Sequence, residues 1–238
     1  MKILAVDTTA TCASVALCDG GKVLASYTQK NGLTHSETLL PMIEAMLKNL
    51  KLTPDDVDMF AVSEGPGSFT GVRIGVAAVK GLAFGKNKIC VGTSTLDALA
   101  RNAAGLPGNF LAVPVMDARR SQLYNAVFEY NGGEISRLCD DRLISSAELE
   151  AELASCEKPV YFFGDGYSIA EKLNIPSRVS TPDILIYQNG ASVAASALAK
   201  FENAEDKTVF TDMSLLPRYL RASQAEREEE RKRKEKKI

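Results

Sequence analysis

Apolar residues in this chain follow two rhythms, solid short runs that stop at an aspartate and longer stretches at helical spacing. The first run, residues 3–6, ends at Asp7 and a polar turn, TTATCA. Residues 14–18 form a second apolar segment. Asp19-Gly20-Gly21 then supplies hairpin turn chemistry, and 22–27 returns as a third strand. Leu39, Leu40, Ile43, Met46, Leu47 and Leu50 recur at helical intervals, with Thr34 or Ser36 as the cap. Residues 58–62 predict a fourth strand, which runs into GPGSFTG and a second helix reaching about Gly85.

The same order of landmarks returns further on. Residues 111–116 are apolar and stop at Asp117; ARRS turns the chain into a strand over 122–130. Asn131-Gly132-Gly133 leads to a strand over 134–138. A helix over 146–153 precedes a strand over 160–163, which ends in Gly164-Asp165-Gly166 where the first half has Gly65-Pro66-Gly67. A helix over about 191–201 completes the second unit. Such self-similarity predicts an internal duplication, one supersecondary unit per lobe. The small-residue stretch AAGLPGN, 103–109, marks the boundary. The expected organisation is an N-terminal lobe over 1–103, a C-terminal lobe over 104–222 and a charged tail over 223–238. Two such lobes resemble the actin, hexokinase and Hsp70 ATPase superfamily: α/β, ribonuclease H-like, each lobe a mixed sheet with packed helices. That resemblance implies a nucleotide in the interlobe cleft, its phosphates near 7–11 and 117–121.

Asp7, Thr8 and Thr9 therefore become candidate nucleotide contacts. A carboxylate can hold a metal through water, and hydroxyls and turn amides can meet phosphate. The superfamily turn normally carries a glycine that lets backbone approach phosphate, and none occurs here before Gly20. The other reading is an aspartate capping its own turn. Arg119, beside Asp117, is a further candidate contact for a nucleotide held between partners. The Gly65-Pro66-Gly67 loop at a helix start can receive an anion or can be a tight turn. In the helix after it, Gly71, Gly75, Ala78, Leu82 and Gly85 draw a narrow strip along one face. Glycine inside a soluble helix costs about 1 kcal/mol relative to alanine, so the strip packs closely against something, either its own sheet or another helix.

His35 is the only histidine, and four residues on stands Leu39, so no metal-binding histidine pair exists on that helix. It reads as a polar residue at a helix start. A Ser-His-Asp triad lacks its G-x-S-x-G elbow, and no G-x-x-x-x-G-K-[ST] loop is present. Neither a catalytic residue nor a metal site is expected. The five cysteines, Cys12, Cys18, Cys90, Cys139 and Cys156, have no paired spacing and read as free thiols. Formal net charge is −2. Residues 224–238 hold seven basic and five acidic side chains, leaving 21 basic and 25 acidic for the rest. The body thus lacks the basic excess of a chain that grips nucleic acid alone. No apolar window suits a membrane span and no secretory leader is evident, so a cytoplasmic protein is expected.

ILAVDTTATCASVAL, THSETLLPMI, GPGSFTGVRIGVAAVKGLA, MDARRSQLY and LPRYLR together resemble the bacterial TsaB family of tRNA threonylcarbamoyladenosine biosynthesis subunits, from the first strand to about Arg221. The resemblance implies a non-catalytic subunit. It would dimerise with the catalytic paralogue TsaD and enable the ATPase TsaE to bind. The assembly transfers threonylcarbamoyl to the adenosine beside the anticodon of tRNAs reading codons that begin with A. Carried over, the docking surface is the pair of helices over 36–50 and 71–85, with Leu39, Met42, Ile43, Met46, Gly71, Gly75, Ala78 and Leu82 as interface residues. The same surface can pair two copies in a homodimer. No cofactor is expected to bind this chain tightly; ATP or ADP would sit at the interface with the partner, and tRNA would be met indirectly. The alternatives are a stand-alone actin-like ATPase or small-molecule kinase and, more weakly, a glycoprotease. The tail after Ser223, with Glu228–Lys232, Glu229–Arg233 and Glu230–Lys234 at i, i+4, predicts a solvated helix.

Overall fold

The computed structural model describes residues 1–221; the helix expected in the tail lies outside the described residues. Two sheets form the frame. In the first, β1 (Lys2–Asp7), β2 (Ala13–Asp19) and β3 (Lys22–Gln29) make an antiparallel meander. β4 (Met59–Gly65) and β5 (Ile89–Ser94) add in parallel on the other side of β1, giving the order β3-β2-β1-β4-β5. β1 is central and buried on both faces, which is why its sequence reads as a solid apolar run. Its alternate residues serve two cores. Leu4 and Val6 meet α1 (His35–Asn49) and α2 (Phe69–Ala83), whose Leu39, Ile43, Met46, Val72, Val76 and Val79 are buried there. Ile3 and Ala5 face the opposite way.

What covers that opposite face corrects the expectation for the helix over 191–201. This helix, α7 (Gly190–Glu202), does not complete the second lobe but lies against the first sheet. Its Val193, Ala194 and Ala197 are buried with Ala5, Ala16, Ala61 and Val91. The reason is steric: the alanines make a shallow floor on which a small-residue helix approaches closely. A Cβ on Gly190 would lie 2.6 Å from the Ala16 nitrogen, and the Gly190 amide donates to Ser14 Oγ at 2.8 Å.

The second sheet is built on β6 (Phe110–Asp117), with β11 (Val160–Phe163) parallel to it. The strand expected over 122–130 is divided into β7 (Gln122–Asn125) and β8 (Phe128–Asn131). They pair respectively with β10 (Arg142–Ser145) and β9 (Glu134–Arg137). Asn125 marks the break: buried, it turns its side-chain amide onto the carbonyls of Pro114 and Ala126, both at 3.0 Å. α4 (Ser146–Leu153) follows with a capping box at Ser145 and Glu148. The short α5 (Tyr167–Ala170) and α6 (Asp183–Ile186) stand where the first lobe has a long helix.

One helix also travels the other way. α3 (Thr95–Ala100) leaves the first sheet and buries Leu96, Leu99 and Ala100 among Phe110, Met116, Phe128 and Phe163 of the second lobe. The boundary near residue 103 therefore divides the sheets but not the helices, and each lobe is completed by a helix from the other half. Asn102 seals the exchange, donating to the carbonyls of Leu185 (2.8 Å) and Tyr187 (2.7 Å) while accepting from Ser192 Oγ (2.7 Å). Gly190→Ala should lower stability by about 2 kcal/mol through overpacking, seen as a lower urea midpoint with an unchanged slope. The loss should appear equally in probes of either lobe.

Candidate functional site

The turn after β1 is the point where the first lobe converges. Asp7 is 1% exposed and its carboxylate is spent locally. Oδ1 accepts from the Thr9 amide (2.8 Å) and Thr9 Oγ1 (2.7 Å), and Oδ2 accepts from Ser63 Oγ of β4 (2.6 Å). Burial pushes the Asp7 carboxyl above its ordinary range, opposed by these hydrogen bonds and by His35. Thr8 Oγ1 donates to the carbonyl of Gly71 at 2.7 Å, and the Ser68 amide donates to the Thr9 carbonyl at 2.7 Å. His35, the first residue of α1, closes the turn from the far side through Nε2 to the Ala10 carbonyl at 2.7 Å. The candidate nucleotide contacts Asp7, Thr8 and Thr9 thus hold the turn itself; Asp7 and Thr8 face inward, and only Thr9 borders the cleft. His35 joins α1 to this turn, a role that its place at a helix start did not disclose.

The glycine strip is explained by the same turn. A Cβ at Gly71 would sit 2.0 Å from the Thr8 carbonyl oxygen, and one at Gly75 would sit 2.6 Å from Thr8 Oγ1. Both glycines are buried so that α2 can press its backbone onto β1. Of the two readings open at the sequence level, packing against its own sheet holds for Gly71 and Gly75. Leu39, Met42, Ile43 and Met46 are likewise core, none more than 8% exposed. Ala78 and Leu82 are half-buried against the same core. The expected interface residues lie on α1 and α2, largely on the inward faces of those helices. Outward, α1 presents Leu40, Pro41, Glu44, Ala45 and Lys48, and α2 presents Arg73, Ala77 and Gly81, with Phe84 just beyond. Leu40 is 53% and Phe84 78% exposed. A Cβ at Gly81 meets nothing within 4 Å.

Between the lobes lies a cavity of about 360 Å³, walled by the Asp7 turn, the start of α2, the end of β6, Tyr124 and Asp165. A C-terminal strap forms its remaining side, and nothing but the LPRYLR stretch hinted at it. Leu215 is buried in the first core and its carbonyl accepts from Lys80 Nζ at 3.2 Å. The Arg218 amide donates to the Glu64 carbonyl at 2.7 Å, and Tyr219 stacks on Phe69 with centroids 4.7 Å apart. Arg221 then crosses to the second lobe and donates to the Ala118 carbonyl at 3.0 Å. The strap's close passage explains Gly65, at φ +120°, where a Cβ would meet the Arg218 oxygen at 2.1 Å.

On the second-lobe side, Arg119, Arg120 and Ser121 stand in succession in the left-handed region, at φ of +67°, +57° and +56°. That conformation is unfavourable for residues with a Cβ. The loop is held by the Arg119 amide on Asp117 Oδ1 (2.7 Å) and by the Ala118 amide on the Gln122 carbonyl (2.9 Å). The Arg119 side chain is 86% exposed at the cleft rim. Asp165 faces the cavity with its Oδ1 buried and unpartnered. Burial, aided by the charges of Asp117 and Asp7, pushes its carboxyl to about 6. Cys12 is buried and its thiol is pushed to about 12 by desolvation, which makes it an inert group. All five cysteines are free. Among the described residues no group of three or more His, Cys, Asp or Glu side chains gathers to hold a metal, and no helix is long and apolar enough to cross a membrane.

Paired lobes around a cleft, each a mixed sheet carrying helices, define an α/β protein of the actin-like class. Component A of (R)-2-hydroxyglutaryl-CoA dehydratase from Acidaminococcus fermentans shares that fold at a TM-score of 0.50 and 12% identity, over 85% of this chain and 100% of that one. YeaZ from Pseudomonas aeruginosa is nearer, with a TM-score of 0.77 and 26% identity over 92% of this chain and 99% of that one. The family model for TsaD, tRNA N6-adenosine threonylcarbamoyltransferase, matches residues 23–229. The tRNA threonylcarbamoyladenosine biosynthesis protein TsaB of Bacillus subtilis is 30% identical over 226 residues, 95% of this chain and 96% of that protein. Its Escherichia coli counterpart is 36% identical over 129 residues, 54% of this chain and 55% of that protein. The chain belongs to the TsaB family.

Two predictions follow from the site's geometry. Gly71→Ala should cost about 3 kcal/mol, because backbone must move to admit the methyl group. Gly81→Ala on the same helix should gain up to about 1 kcal/mol; urea denaturation of the pair reads both. For Asp165, the folded carboxyl binds protons more tightly than the unfolded one, so its contribution to stability falls as pH rises from about 4 to 6 and is level above that. Asp165→Asn should remove this dependence. Its melting temperature should exceed the wild type's by a margin that grows between pH 4 and 6 and persists to pH 8.

Proposed function

We propose that this chain is a non-catalytic subunit in the formation of threonylcarbamoyladenosine on tRNA, acting by docking onto a TsaD-type transferase. The observation that carries the reading is the division of labour within the two helices of the first lobe. Their inward faces are committed to the core, and their outward faces combine exposed apolar side chains with a small-residue surface at Ala77 and Gly81. Small outward residues let a partner helix come close, and Leu40 and Phe84 offer it apolar area. The pathway follows from the names of the relatives and from the family model that the chain matches.

The Asp7 turn supports the non-catalytic half of the proposal. Its hydroxyls, its carboxylate and the nearby helix start are spent on one another, so the chain alone retains no nucleotide there. ATP or ADP binds instead where the partner meets this chain, and a TsaE-type ATPase joins the pair. In the partner's absence two copies dock through the same helices, and the protein works in the cytoplasm.

Gly81→Arg and Ala77→Asp provide the test. Both positions are exposed, so each variant should keep the wild-type melting temperature within a few degrees. Each should weaken pairing with the TsaD-type subunit roughly 30-fold or more and lose threonylcarbamoyl transfer in the reconstituted reaction. Normal pairing by both variants sinks the docking face. Full transfer by the TsaD- and TsaE-type subunits without this chain sinks the function.

A further inference from the structure

We infer that a second recess between the lobes is a binding site for a free α-amino acid with a polar side chain. The inference goes beyond docking and needs no partner subunit.

This recess, of about 360 Å³, lies beyond the carboxyl ends of the parallel strands β4 and β5. α7 and the strap border it on the first-lobe side, and the turn between β9 and β10 closes it from the second lobe. Open α/β sheets receive small ligands at the carboxyl ends of their parallel strands. Acids and bases line the recess in equal number. Two pairs among them are already satisfied. Asp97 Oδ2 accepts from Arg101 Nε at 2.9 Å and from Ser196 Oγ. Asp141 accepts from Ser94 Oγ at 2.7 Å and from Arg137 Nη1 at 2.6 Å. These bonds make a fixed polar floor.

Three charges are left over. The Glu64 side chain is only 17% exposed, yet no donor among the described residues reaches its carboxylate at hydrogen-bond distance. Lys200 Nζ stands 3.6 Å away and donates instead to the Gly92 carbonyl at 2.5 Å. Gly92 makes room for this arrangement, since a Cβ there would sit 1.9 Å from Glu64 Oε2. Among the described residues nothing pairs with the Arg218 guanidinium or with the Asp140 carboxylate. A covered carboxylate without a donor is costly. A ligand that brings donors removes that cost.

The positions of Glu64 and Arg218 define the ligand. The Arg218 amide donates to the Glu64 carbonyl at 2.7 Å, so the two residues are neighbours, yet their side chains form no ion pair. A free amino acid carries an ammonium and a carboxylate side by side on one carbon. Its ammonium brings three donors to Glu64, and its carboxylate meets the fork of Arg218. A lone cation would gain the first contact and a lone anion the second. Only a zwitterion makes both, and it adds no net charge to a balanced recess. The ligand's side chain is left to Asp140 and Asn203, which favour a hydroxyl or amide over hydrocarbon.

The test is titration calorimetry on the full chain alone, with each of the common L-amino acids in turn. At least one with a polar side chain should bind with a Kd of about 1 mM or tighter, ahead of leucine. Ethanolamine, which lacks the carboxylate, and propionate, which lacks the ammonium, should each bind at least about 10-fold more weakly. Arg218→Ala removes an exposed side chain, and Glu64→Gln keeps the shape of the covered one. Both variants should therefore keep the wild-type melting temperature within a few degrees, and each should weaken amino-acid binding about 10-fold or more. A Kd weaker than about 1 mM for every amino acid overturns the inference. So does a preference for leucine, binding of ethanolamine or propionate as tight as that of the amino acid, or unchanged affinity in either variant. Docking onto the TsaD-type subunit is read separately, by pairing, and neither result decides the other.

Discussion

The packing of α2 onto the turn after β1 is the contact on which the first lobe depends. Gly71 and Gly75 remove two side chains so that the helix backbone reaches Thr8, and the turn answers with Thr8 Oγ1 on the Gly71 carbonyl. Asp7 then holds the turn's own amide while bonding Ser63 on β4, and His35 adds α1. A buried carboxylate is expensive, and hydrogen bonds to it offset that cost only if all are made. Losing one element therefore weakens the placement of the others. The outward faces of α1 and α2 owe their fixed relation to this inward arrangement.

The donors and acceptors of the turn after β1 are consumed by the first lobe and the cleft wall is finished by the strap. The turn is thereby tied to α1, α2 and β4 by side-chain hydrogen bonds. The strap adds to this, because it touches α2 at Phe69, Arg73 and Lys80 and ends on the second lobe at Ala118. α2 and the interlobe cavity are consequently parts of one bonded unit.

Much of the plan was legible in the sequence because strands ending in Asp and hairpins ending in Gly pairs leave strong local marks. The duplicated order, the two first-lobe helices and the GPGSFTG helix start were all readable. Facing was not. Gly75 and Gly81 are equally small, and only tertiary placement tells that one abuts Thr8 while the other meets open space. Local periodicity gives a helix its two sides without naming which neighbour each one meets. The same limit hid α7, whose apolar stripe is compatible with either sheet until the alanine floor of the first is known. The strap has no periodicity at all, and Asn125 interrupts its strand through side-chain bonds that spacing does not encode.

The exchange of helices between lobes has a consequence for how the chain is made. A ribosome releases the five strands of the first sheet by residue 94, yet the helix that covers their alanine face is not complete until residue 202. For the synthesis of about a hundred residues, Ile3, Ala5, Ala61 and Val91 lack the cover that Val193, Ala194 and Ala197 of α7 provide. An early lobe with one bare face is a species that chaperones recognise and neighbouring chains can trap. Domain-by-domain folding is closed to this protein: the first lobe to emerge waits for the second to be nearly finished, and the two mature together.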